Sequence, residues 1–281
     1  MLEAPYPELD DLLKMMGEAG RHLAEIEASE GAAGNISVCL RSRKDTGTVW
    51  HMEPRTRFPL ISEIELPQPV PELAGATFIV SGSGRRLREI IDEPAANLAC
   101  IVVDEGGKTG KLYTSYQRRF ERVTSEFNSH LAVHYDQMMA TGTNFHAVVH
   151  AQPLHITYLS HIPRYQDEQY LNTHLLRWQP ETIINLPEGI GFIPFEVPGS
   201  SALMAGNVAA LRKHRIVIWS KHGVMARSDI SIKRAADRVE YAETAAKYEY
   251  LNLGVNEIGT GLSRDEILAI CKTFSIKQNI F

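Results

Sequence analysis

Apolar residues near the start of the chain recur at helical spacing. Leu9, Leu12, Leu13, Met16 and the pair His22/Leu23 fall at i, i+3, i+4 intervals and predict a helix from Tyr6 to about Ala28. The run GAAGNISVCLR breaks that period with small residues, then predicts a short strand ending near Arg41. Residues 42–74, rich in Arg, Pro and Glu, follow neither period and read as a surface excursion within the domain. Three strand-like runs come next, ATFIVSG, ACIVVDE and GKLYTS, punctuated by Gly, Pro and Asn. The segment SEFNSHLAVHYDQMMAT predicts a helix with Thr124 or Ser125 as its N-cap. The strand HAVVHAQ leads into a helix from Pro153 to Ser160, since proline suits a first helical position.

Further on, ETIINL and GIGFIPF read as strands and GSSALMAGNVAALRKH as a helix. RIVIWSKHGV is an apolar strand closing on a histidine–glycine turn. A long helix is predicted over Ile232 to Leu253, and a last one opens on Ser263 and Glu266, the two ends of a capping box. This mixture of strands bounded by helices predicts one α/β domain with helix layers around a central sheet. At 281 residues, 44% of them hydrophobic, the chain can bury a sizeable core. A net charge of -5 gives no nucleic-acid footprint, and no apolar run is long enough to span a bilayer. The acidic start, MLEAPYPELDDLLKMM, lacks the pattern of a signal peptide, and three scattered cysteines fit a reducing compartment. A cytoplasmic protein is the expectation.

Histidine carries the candidate chemistry. Side chains alternate along the strand at 146–152, so His146, His150 and Gln152 share a face. His146 and His150 lie roughly 13 Å apart at strand rise, too far to share an ion, whereas His150 and Gln152 lie about 6.6 Å apart. His222 ends the apolar strand RIVIWS just before Gly223, where a turn can expose its ring. By themselves His150 and His222 are either a metal pair or two polar strand ends. Glu126 falls in the first turn of a helix, where backbone N–H groups hold a carboxylate or a bound anion, and Glu181 is open to either reading. The loops VSGSG (80–84) and AAGN (32–35) could cradle an anion without being Walker loops. His130 and His134, four apart on one helix face, read as core histidines.

Taken in order, these pieces resemble the class II aldolase/adducin family. The resemblance rests on GNIS, on TFIVSGSG followed by EPAANLACIVVD, on the TSE motif opening a helix, and on the strand to His150. It continues through PETIINLPEGIGFIPFEVPG, the strand to KHGV and the helix SRDEILAICKTF. It implies that residues 1–281 form a single three-layer α/β/α domain with a central, mostly antiparallel sheet. It further implies a metal-dependent aldolase that cleaves L-rhamnulose 1-phosphate, or a related ketose 1-phosphate, to dihydroxyacetone phosphate and L-lactaldehyde through a metal-stabilised enediolate. By the same resemblance His150 and His222 match metal-ligand histidines, Glu181 the carboxylate holding the resting metal, and Glu126 the acid/base. Asn35, Ser81 or Ser83, Thr124 and Ser125 fall where the family binds substrate phosphate. Zinc is the implied ion, and the implied assembly is a homotetramer with its site near the subunit interface.

One position departs from the pattern. The family has His-x-His on this strand, where this chain has His150-Ala151-Gln152. A neutral amide oxygen is a harder and weaker donor than imidazole. Gln152 could still coordinate and shift the preference toward a harder cation, or His155 could substitute for it. The third outcome is a diverged, non-catalytic adducin-like oligomeric binding protein with a weakened metal site. The retained Glu126, Glu181, His222 and small-residue loops favour a catalyst.

Overall fold

The computed structural model describes residues 7–42 and 53–281. Helix α1 (Leu9–Glu25) leads into β1 (Asn35–Leu40), β2 (Leu60–Glu65) and β3 (Thr77–Ser81). The one-turn α2 (Pro94–Asn97) precedes β4 (Leu98–Val103), β5 (Thr109–Thr114), α3 (Phe127–Thr141) and β6 (Phe145–Ala151). Then come α4 (Leu154–Leu159), α5 (Glu168–Leu175), α6 (Pro180–Asn185), β7 (Gly191–Ile193) and α7 (Ser201–Leu211). The chain closes with β8 (Ile216–Trp219), β9 (Gly223–Ser228), α8 (Ile232–Leu253) and α9 (Arg264–Thr273).

Among the described residues nine strands join one sheet in the order β2-β5-β4-β3-β1-β6-β9-β8-β7. Strand alternation divides its side chains between two cores. Ile36, Val38 and Leu40 point to a layer built on α1 and α8, which α4, α5, α6 and α9 extend. Cys39, Phe78 and Val80 point the other way, onto α3, and Val217 and Trp219 meet α7 on that same side. The expectation of a mostly antiparallel sheet is corrected to a mixed one. β7 pairs with β8 in parallel, while the other seven pairings are antiparallel. The crossover through α7 carries the chain back across the sheet, so β8 starts at the same end as β7 and the two run parallel.

Three further expectations change. ETIINL is not a strand but α6, with Pro180 in its first turn and Thr182, Ile183 and Leu186 buried toward α8 and α9. An apolar run of this length suits either period, and tertiary packing decided it. The 42–74 segment holds β2, an edge strand on β5 whose Ser62, Glu63 and Glu65 face solvent and guard the open edge. Its residues 43–52 lie outside the described residues, as does Tyr6. Helix α3 starts one or two residues later than predicted: Glu126, not Thr124 or Ser125, occupies its N-cap position. Among the described residues no helix is long and apolar enough to cross a membrane.

The β7 edge is fastened by one titrating pair. Glu168 accepts from the Phe192 N–H at 3.2 Å and lies 3.2 Å from His214 Nε2, while His214 Nδ1–H donates to the Glu188 carbonyl. Burial lowers the His214 pKa, but the hydrogen bond and charge of Glu168 outweigh it and raise it above 6.5. The same bond, opposed by burial, holds Glu168 below 4.5. The imidazole's contribution to stability is full below pH 6.5 and fades as pH rises through its folded pKa. The carboxylate's is present above pH 4.5 and fades as pH falls through its own. The pair therefore helps most between those two values. Glu168→Gln is expected to lower the unfolding midpoint at pH 5.5 more than at pH 8. The effect should stay under about 1 kcal/mol because Glu168 is half exposed. An equal loss at both pH values in thermal melts would refute this account.

Candidate metal centre

Two glycines let the central strands close on the site. A Cβ on Gly34, whose φ is +86°, would meet the His150 carbonyl at 2.8 Å, so glycine there sets Asn35 opposite His150 in the β1–β6 register. A Cβ on Gly223 would meet the Ala151 carbonyl at 2.4 Å, so only glycine lets the β8–β9 turn approach the end of β6. Lys221, at φ +62°, takes the strained place in that turn, and His222 follows it.

His150 is held on three sides. Its ring stacks on Trp219 at 4.3 Å, and Trp219 is anchored by donating to Asn207 Oδ1. Its Nδ1 lies 2.8 Å from the Val224 carbonyl, which only accepts, so Nδ1 carries a proton and Nε2 is the nitrogen turned toward the site. His222 meets His150 edge-on, with ring centroids 5.0 Å apart. Burial, then the neighbouring His150, push its pKa down to about 4 against the opposing pull of Glu126. It is therefore neutral at physiological pH, the form that ligates metal. Glu126 completes the group: one carboxylate oxygen lies 3.7 Å from His150 Nε2, the other 3.9 Å from His222 Nε2. Burial works against its charge, but His150, the Asn35 hydrogen bond, His130 and His222 outweigh it and hold the carboxyl below its ordinary range.

These three residues place one donor atom each within 4.8 Å of one another. The His–Glu separations are too long for hydrogen bonds but close to the ~3.3 Å between two ligands each ~2 Å from a shared cation. Two imidazoles and a carboxylate are a donor set suited to a divalent transition metal that keeps a further position open.

Several expected residues stand elsewhere. Glu181 lies exposed in the first turn of α6, on the α8 side of the sheet, so within one copy of the chain Glu126 rather than Glu181 stands between the histidines. His155 is committed to α8: its Nδ1 is 2.6 Å from Glu243 Oε1, so it does not substitute for the missing strand histidine. Gln152 sits just past the end of β6, its backbone N–H donating to the Ala28 carbonyl. Its side chain lines a cavity of about 690 Å³ together with His222, Arg88, Tyr158 and His161, so it borders the centre. Sequence reasoning missed Arg88 and Trp219; no motif marks either one.

The expected phosphate loops do converge. Thr124 N–H donates to the Ser81 carbonyl and Ser83 N–H to that of Arg122, which sets residues 81–83 beside 122–126. The buried side chains there are already engaged. Ser81 Oγ accepts from the Ile36 N–H, Thr124 Oγ1 from the Glu126 N–H, and Asn35 donates to Glu126 at 2.7 Å. Ser125 is exposed and Ser83 half-buried.

A mixed sheet flanked by helices, with two histidines and a carboxylate converging at one end, has counterparts among known proteins. Residues 14–250 match the model of the Class II Aldolase and Adducin N-terminal domain. The chain belongs to the class II aldolase and adducin family, on the side of it whose matching relatives are named aldolases. It is 27% identical over 255 residues to the rhamnulose-1-phosphate aldolase of Yersinia pestis (strain Pestoides F), covering 88% of this chain and 87% of that protein. A sugar-phosphate aldolase from Thermotoga maritima superposes with a TM-score of 0.71 at 26% identity, over 90% of this chain and 99% of that one. The L-fuculose-1-phosphate aldolase of Thermus thermophilus shares the fold, with a TM-score of 0.53 at 18% identity over 88% and 98% of the chains.

Replacing either histidine should empty the centre. His150→Ala and His222→Ala are each expected to weaken Co²⁺ binding by more than ~100-fold, beyond what outer partners of a ligand contribute. Chelator-competition titration measures it, and wild-type affinity in both variants would rule the centre out.

Proposed function

We propose that this protein is a divalent-metal-dependent aldolase that cleaves L-rhamnulose 1-phosphate, or a related ketose 1-phosphate, to dihydroxyacetone phosphate and L-lactaldehyde. The observation that carries this reading is the Glu126 carboxylate set 3.7 and 3.9 Å from the ligating nitrogens of His150 and His222. The name of the Yersinia relative, matched over 88% of this chain, supports the choice of sugar. Cleavage breaks one carbon–carbon bond and leaves its electron pair on the dihydroxyacetone phosphate half. Zinc or a similar ion, when held at His150 and His222 beside Glu126, would supply a Lewis acid for the charge that develops on the substrate oxygens.

The chain's own residues do the rest. As the bond breaks, the hydroxyl on the aldehyde-forming carbon gives up its proton and becomes the carbonyl, while the dihydroxyacetone phosphate carbon gains one. Glu126, ionised in the resting protein, is placed to take up a proton and pass it to that carbon, and to remove it in the reverse direction. The Asn35 amide aims that carboxylate by donating to it at 2.7 Å. Ser83 and Ser125, with the adjoining backbone N–H groups at the start of α3, receive the phosphate, while Ser81 and Thr124 hold the two loops together. The cavity beside Gln152 and His222 accommodates the aldehyde half. The chain acts as one unit across residues 1–281, as a cytoplasmic homotetramer with the site near a subunit interface.

Gln152 favours a second reading, a relative that has lost its metal and its catalysis. Coupled assay of dihydroxyacetone phosphate release separates the two. Turnover of a ketose 1-phosphate with Zn²⁺, Co²⁺ or Mn²⁺ is expected, and Glu126→Gln should lower kcat by roughly 10²–10⁴-fold at saturating metal. Gln152→His should raise metal retention and turnover together. Absence of cleavage with every ketose phosphate and every metal would leave the non-catalytic reading standing.

A further inference from the structure

A single line of buried hydrogen bonds runs away from Glu126 through the molecule. Asn35 Nδ2 donates to the carboxylate at 2.7 Å, and Asn35 Oδ1 lies 2.5 Å from His130 Nε2. His130 Nδ1 is 2.7 Å from Ser37 Oγ, which is 2.7 Å from His134 Nε2. His134 Nδ1 is 2.8 Å from His146 Nδ1, and there the line stops: His146 Nε2 is buried and without a partner. Ser37, His130, His134 and His146 have no exposed surface at all. Aliphatic side chains would fill this space between β1, β6 and α3 without the cost of burying polar groups. Four polar residues in one connected line call for an account beyond packing.

The line has only one self-consistent direction. A carboxylate accepts and does not donate, so Asn35 must turn its amide nitrogen to Glu126 and its oxygen to His130. That oxygen needs a donor, so His130 carries its proton on Nε2. Burial holds this ring's pKa down to about 3, so its Nδ1 is a bare acceptor and takes the Ser37 hydroxyl proton. The Ser37 oxygen then accepts from His134 Nε2–H, and His134 Nδ1 accepts from His146 Nδ1–H. Burial keeps these two rings uncharged as well, and Arg227 and Arg238 add to this at His146. The far end agrees independently. A lone pair on the orphaned His146 Nε2 costs less than a buried N–H with nothing to accept it.

We propose that Ser37, His130, His134 and His146 are positioning residues: a one-way hydrogen-bond line that locks the Asn35 amide and so fixes the Glu126 carboxylate between His150 and His222. None of the four touches the place where substrate reacts. This inference rests on the reading of Glu126 as the working carboxylate, but its readouts do not require sugar cleavage.

Two measurements test it. In wild-type protein labelled with ¹⁵N-histidine, NMR should show His130 and His134 as Nε2–H tautomers and His146 as Nδ1–H. Ser37→Ala cuts the line at its middle, and Cys39→Ala is a matched control, a cut of similar size two residues on that faces the same core without joining the line. Ser37→Ala should weaken Co²⁺ binding and lower kcat each by about 10-fold or more, the range for partners that orient a ligand, with KM little changed. Cys39→Ala should lower only the unfolding temperature. Reversed or mixed tautomers would overturn the proposal even if Ser37→Ala fails to fold. So would Ser37→Ala matching Cys39→Ala in Co²⁺ affinity. Loss of the tautomer pattern and loss of aldolase activity are separate outcomes, so failure here is distinguishable from failure of the functional reading.

Discussion

The pairing of β1 with β6 is the constraint on which the rest depends. It sits at the middle of the nine-stranded sheet and joins the β2-β5-β4-β3 half to the β9-β8-β7 half. Its register puts Asn35 opposite His150 and Cys39 opposite His146. A slip of β1 by one residue would turn Asn35 and Cys39 to the α1–α8 face, away from the histidines of β6. Ile36, Val38 and Leu40, all buried on that face, oppose such a slip because it would drive them against the polar line under α3. Hydrophobic burial on one side of the sheet thus fixes polar geometry on the other.

That geometry gathers several imidazoles around one buried carboxylate. Surface pairs such as Arg57–Asp10 or Arg119–Glu93 are exposed and contribute little to stability. Glu126 differs because burial costs it solvation, and Asn35, His150, His130 and His222 together more than return the loss. A buried charge held this way is strongly dependent on its partners. Such an arrangement is poorly explained by stability, since an apolar cluster would fill the same space at lower cost. It is well explained by a centre that must present a carboxylate in one orientation.

Much of this was legible in the residues. The strands with continuous apolar runs, α8 and the capping box of α9 stood where patterning put them, because period and cap chemistry agreed there. His150 and His222 were legible as a pair because each ends a strand next to a turn. What failed were features decided by distant packing. ETIINL suits a strand or a helix equally until α8 and α9 cover one side of it. β2 alternates too weakly to be seen, since an edge strand has little to bury. Glu181 was placed at the metal by resemblance alone, and its helix carries it to the other side of the sheet. His130 and His134 were rightly read as core residues. Their connection to Glu126 depends on Ser37 and Asn35, which lie over ninety residues away along the chain.

Gln152 looked like a gap in the donor set only while the donors were sought along one strand. Beyond Ala151 the backbone leaves the sheet to bond Ala28, so residue 152 belongs to the cavity wall as much as to the centre. Glu126 reaches the same two imidazoles from the N-terminus of α3, across β1 rather than along β6. Three donors from three elements therefore converge without residue 152. A histidine there would add a further imidazole beside the ion and hold it more tightly. Glutamine leaves a weak, exchangeable neighbour at the edge of the cavity. In the proposed aldolase the substitution would therefore act first on how much of the protein carries an ion, while the convergence of Glu126, His150 and His222 stays intact.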